Sequence, residues 1–109
     1  MLLSLIERWD VRRHGPLTEA ALRHKVEALG YDVTTRLYPP GAVAGVQSDV
    51  RERLVAVVRG RVKITVDGES AILGAGDSVV VPRGTVRRLE AVGPEAAACF
   101  EADERATAN

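Results

Sequence analysis

Apolar and polar positions alternate along most of this 109-residue chain, and the period of the alternation changes once. Near the start it is helical. Leu22, Val26 and Leu29 recur at i, i+4 and i+7, which places them on one face of an amphipathic helix. Thr18 offers a side-chain oxygen as N-cap and Glu19 puts an acid in the first turn. Gly30 stands where a left-handed C-terminal cap belongs. The pattern predicts one short N-terminal α-helix over residues 18–29. From Val33 onward the period is two. Strands are predicted over residues 33–38, 54–58, 61–66, 69–73, 78–81, 86–91 and 96–101. In the third of these, Val62, Ile64 and Val66 alternate against Arg61, Lys63 and Thr65. Asp67-Gly68 follows directly, a two-residue hairpin signal because both turn positions need positive φ. Short strands at this regular spacing make an all-β domain, an antiparallel sandwich or barrel. Residues 1–32 read as an N-terminal extension, 33–102 as the barrel and 103–109 as a frayed tail.

Composition narrows the core and the partners. Valine supplies 16 residues and alanine 15, against four aromatic residues, so the interior must be built from small side chains suited to strands. Lys plus Arg equal Asp plus Glu at 15 each, and a chain without net charge lacks the basic footprint of a nucleic-acid binder. One cysteine, Cys99, cannot form an internal disulfide, which fits a reducing, cytoplasmic setting. The opening apolar run breaks at Glu7 and Arg8, too soon for a membrane span or a signal peptide. A domain this small, with valine-rich strand edges, has a physical reason to form a homodimer.

Two segments carry a family resemblance. Gly76-Asp77-Ser78-Val79-Val80-Val81-Pro82-Arg83-Gly84-Thr85-Val86-Arg87 resembles the second motif of the cupin superfamily, with Arg87 where a histidine would stand. Counting back from Gly60 to Gly41 brings the first motif into register without an insertion. Gln47 and Asp49 then fall at its two histidine positions and Arg53 at its glutamate. The resemblance covers residues 33–101, and the N-terminal segment also resembles that of small single-domain bacterial cupins of the RmlC-like type. It implies an antiparallel jelly-roll barrel with a pocket between two sheets.

The substitutions change the chemistry that the resemblance would otherwise imply. In metal-binding cupins these four positions hold a divalent ion through imidazoles and a carboxylate. A guanidinium has five donors and no lone pair to offer a metal, so Arg53 and Arg87 would repel one. No cofactor is therefore expected. Asp49 is the natural partner for the arginines, with Gln47 as acceptor, or Glu52 and Glu90 if the arginines reach outward. If both arginines turn inward, one carboxylate facing two of them leaves about one positive charge over. The resulting expectation is a metal-free protein that binds a small anion, a carboxylate or phosphate, through Gln47, Asp49, Arg53 and Arg87, without turnover. Two alternatives stand beside it: a closed ion-pair network in a filled barrel, and a metal-independent acid–base enzyme of the isomerase or epimerase type, for which Tyr38 is a candidate. Other features read as structural. Cys99 fills core, Gly74-Ala75-Gly76 serves a turn, Arg12-Arg13-His14 is a solvated face, and Trp9 packs the N-terminal segment across a sheet. His14 and His24 lie away from the barrel.

Overall fold

The computed structural model describes residues 5–48 and 51–105, with the backbone alone at 45–48. Among these residues, nine strands and two helices follow in the order β1 (Ile6–Glu7), α1 (Val11–His14), α2 (Glu19–Ala28), β2 (Tyr31–Tyr38), β3 (Val43–Ser48), β4 (Arg53–Arg59), β5 (Arg61–Val66), β6 (Glu69–Leu73), β7 (Ser78–Val81), β8 (Val86–Val92) and β9 (Ala97–Glu104). They form two antiparallel sheets, one ordered β1-β7-β4-β9-β2 and the other β3-β8-β5-β6. The sheets pack face to face as a jelly roll. No helix among the described residues is long and apolar enough to cross a membrane.

Period two decides which residues meet between the sheets. Val55 and Val57 of β4, Val79 and Val81 of β7, and Ala97 and Cys99 of β9 pack against Val62, Ile64, Val66, Leu73, Leu89 and Ala91 of the other sheet. The other face of β4 and β9 is buried too. Leu54, Ala56, Phe100 and Ala102 are covered by Leu22 and Val26 of α2. Burying each of those two helix side chains is worth about 1.5–3 kcal/mol. Strands covered on both faces need no polar alternation, so β4 and β9 read as nearly continuous apolar runs. The Asp67-Gly68 hairpin forms as its sequence dictates, with φ of 48° and 83° and Val66 opposite Glu69.

The N-terminal segment is fastened to the β6–β7 turn. Arg8 pairs with the buried carboxylate of Asp77, whose Oδ2 also accepts from the Gly74 N–H at 2.8 Å. Gly76 lies beneath Trp9. Its φ is 87°, and a Cβ there would come within 2.8 Å of the Trp9 Cβ and 3.1 Å of the Leu17 Cδ2. Trp9 Nε1 donates to the carbonyl of Gly15 at 2.9 Å, which closes the turn after α1.

Three expectations from sequence need correction. The segment before β2 carries a second, four-residue helix and a two-residue strand besides the longer helix. A strand also occupies Val43–Ser48, where none was expected. Residues 103–105 are not frayed. Asp103 and Glu104 continue the ladder between β9 and β2, and Arg105 holds Asp32 at 3.2 Å and donates toward the carbonyls of Glu27 and Tyr31. The ladder continues because β9 lies between two partners, β4 and β2, which satisfy both edges of its backbone.

Candidate functional site

Arg87 lies on β8 with Leu89 and Ala91 on its inward-facing side, directly opposite Gln47 of β3 and Val66 of β5. Alternation on β9 likewise turns Glu101 inward with Ala97 and Cys99, between Thr34 of β2 and Val55 of β4. The two side chains meet across the gap between the sheets. Arg87 Nη2 donates to Glu101 Oε1 at 3.0 Å, and only 8% and 7% of the two side chains are exposed. Tyr38, at the end of β2, donates its hydroxyl to the other oxygen of Glu101. Burial and that hydrogen bond to Glu101 push the Tyr38 phenol well above its ordinary range. It therefore stays protonated near neutral pH and makes a poor proton acceptor.

Two further arginines border this pair. Arg53 Nε lies 2.8 Å from Asp103 Oδ1, and the two residues are register partners on β4 and β9. Glu101 and Asp103 are two positions apart on one face of β9, so a single strand anchors both Arg87 and Arg53. Arg36 reaches the same group from the edge strand β2. Its Nε is 3.7 Å from Glu101 Oε2, the oxygen that Tyr38 already occupies, and 58% of the side chain is exposed. Three guanidiniums thus share two carboxylates among the described residues of this cluster. Cys99, one inward position before Glu101, is buried, and burial followed by the charge of Glu101 pushes its thiol up to about 12.

The structure adds two partners to the expected pairing. Asp49 lies outside the described residues, and Gln47 is placed by its backbone alone, opposite Arg87. Among the described residues, Arg87 pairs with Glu101 and Arg53 with Asp103. Glu52 instead accepts the Tyr31 hydroxyl at 2.5 Å. Two carboxylates of β9 reach the two arginines because β9 is the strand next to β4 and faces β8 across the barrel, a proximity that spacing along the chain does not reveal. One signal did point to Glu101. It is a charge at an inward position in the otherwise apolar run Ala97-Ala98-Cys99-Phe100.

The side chains described at these positions do not fit a divalent metal. Among the described residues, no group of three or more His, Cys, Asp or Glu is placed to hold one. Arg53 and Arg87 present N–H donors where lone pairs would be needed. The accessible oxygens of Glu101 are taken by Arg87 and Tyr38.

Comparison with known proteins places this geometry in context. A family model described as a cupin domain matches residues 34–102. No curated protein matches the sequence. Among solved structures, a conserved protein of unknown function from Streptococcus pyogenes is 25% identical, with a TM-score of 0.65 over 72% of this chain and 68% of that one. A cupin protein from Bacteroides fragilis is 26% identical, with a TM-score of 0.64 over 73% and 70% of the two chains. An RmlC-like cupin from Shewanella frigidimarina, at 23% identity, shares the fold with a TM-score of 0.64 over 71% and 68%.

Proposed function

The chain belongs to the cupin domain family, and we propose that within it this protein is a metal-free binder of a small anionic molecule, without turnover. The ligand carries a carboxylate or phosphate and docks at the open end of the barrel. One observation carries the reading: Arg36 is mostly exposed, and among the described residues the only carboxylate oxygen it approaches is shared with Tyr38. A guanidinium in that state has N–H donors left for a planar or tetrahedral anion. On this reading the half-exposed Arg53–Asp103 pair flanks the ligand and the buried Arg87–Glu101 pair lies beneath it. The inward-facing tyrosine, held protonated, disfavours the acid–base alternative.

A second reading draws on the packing. The interior between the sheets is filled by valine, leucine and isoleucine, with the Arg87–Glu101 pair above them, which suits a structural module with a closed barrel. The homodimer and the cytoplasmic setting belong to the same proposal. The edge strand β2 leaves Leu37 exposed at its rim, and Cys99 is a free, buried thiol.

Thermal melting separates the two readings. Wild type and Arg36→Met are melted with inorganic phosphate, succinate and citrate at constant ionic strength. Excluded anions stabilise any fold, so the difference between the two proteins is the readout. Specific binding raises the wild-type Tm with the logarithm of anion concentration above Kd, by an amount equivalent to about 2.7 kcal/mol at a hundredfold excess, and the variant loses that rise. Equal shifts in both proteins support the closed module instead.

A further inference from the structure

A second concavity, with no part in the barrel mouth, lies between the two helices of the N-terminal segment. Its volume is about 570 Å³, within the range of small-molecule sites. Helix α2 builds one wall. Its Leu22 and Val26 stripe is spent on the sheet, which leaves Ala21, His24, Lys25 and Ala28 on a neighbouring stripe facing the cleft. The two alanines give the cleft its width. Helix α1 supplies Arg13 and His14 on the other side, and Trp9 lies between them.

The chemistry of the lining is uneven. The His14 ring lies against Trp9 with centroids 5.0 Å apart, and Lys25 Nζ stands 5.6 Å from the centroid of the same indole. Lys25 is also bound to Glu7 at 2.5 Å, so that pair is neutral. Arg13 carries no ion pair among the described residues, which leaves the cleft with one positive charge over, beside two imidazoles able to donate. An aromatic floor with alanine walls recognises a flat apolar ring, and an uncompensated guanidinium at its rim recognises an anion.

We propose that this cleft binds an aromatic carboxylate, with the ring against Trp9 and His14 and the carboxylate on Arg13 and His24. The site is separate from the barrel mouth and stands or falls independently of it.

The chain has one tryptophan, so its emission reports directly on the cleft. Phenylacetate is titrated against the intact protein, with acetate supplying the anion alone and benzyl alcohol the ring alone. The expected result is a saturable change in Trp9 emission with phenylacetate and none with either half-probe. The Arg13→Gln/His24→Gln variant, both positions being exposed, keeps its melting temperature and binds about tenfold more weakly. Arg36→Met binds phenylacetate as wild type does. No saturable change, an equal response to benzyl alcohol or acetate, undiminished binding by the double variant, or loss in Arg36→Met would each overturn the assignment.

Discussion

Arg87 on one sheet and Glu101 on the other are joined at 3.0 Å inside the barrel, each almost wholly buried. A pair in that position costs much desolvation, and its partners depend on each other more than the fold depends on the pair. Removing one partner strands the other's charge. Arg87→Met is expected to cost about 3–5 kcal/mol. Arg87→Met/Glu101→Gln, which removes both charges and leaves an acceptor for Tyr38, recovers most of the loss. Urea midpoints of wild type, Arg87→Met and the double variant test this, and a double variant no more stable than Arg87→Met would contradict a mutually dependent pair.

Both tyrosines of the chain are held protonated by burial and by a hydrogen bond to a glutamate, Tyr31 to Glu52 and Tyr38 to Glu101. Their folded pKa values are raised, so the folded state retains protons that the unfolded state gives up. The sign follows: their stabilising contribution is whole below the ordinary tyrosine value of about 10 and is lost as pH rises above it. Tyrosinate absorption in the folded protein is therefore expected to develop later than in free tyrosine. Tyr38→Phe shallows the alkaline loss of stability. Ordinary titration of both phenols in the native protein would contradict these hydrogen bonds.

Gly76 holds the N-terminal segment against the barrel by having no side chain. A Gly76→Ala Cβ meets Trp9 at 2.8 Å while the backbone stays at positive φ, so both packing and conformation are strained. Destabilisation of more than about 2 kcal/mol is expected, read by denaturation, with Trp9 emission shifted toward that of exposed indole. Unchanged stability would mean that the segment can lift off the β6–β7 turn freely.

The Cys99 thiol, pushed up to about 12 and buried, has almost no thiolate near neutral pH. It should react with a disulfide reagent only after denaturant is added. Fast modification of the native protein would place Cys99 at an accessible surface.

Much of this architecture was legible because alternation and turn chemistry agree. Val62, Ile64 and Val66 face inward as their spacing requires, and Asp67-Gly68 turns the chain between β5 and β6. Where local signals are weak, tertiary pairing decides. Strand β3 was missed because its register shifts between Ala44 and Gln47, which breaks the alternation. Strand β1 has two residues, and its pairing with β7 rather than its own propensity makes it a strand. Arg87 was found by the motif. Glu101 and Asp103 were not found as partners, because nothing local says which distant carboxylate a buried arginine will meet. His14 and His24 were read as remote from the barrel, and they are, yet the fold brings them to one cleft with Trp9.

The proposal turns on guanidinium chemistry standing where the family resemblance implies metal ligands, and elemental analysis of the purified, dialysed protein tests it most directly. The prediction is transition-metal content far below one ion per chain, unchanged in Arg87→Met. Manganese, iron, nickel or zinc retained at one per chain would contradict it.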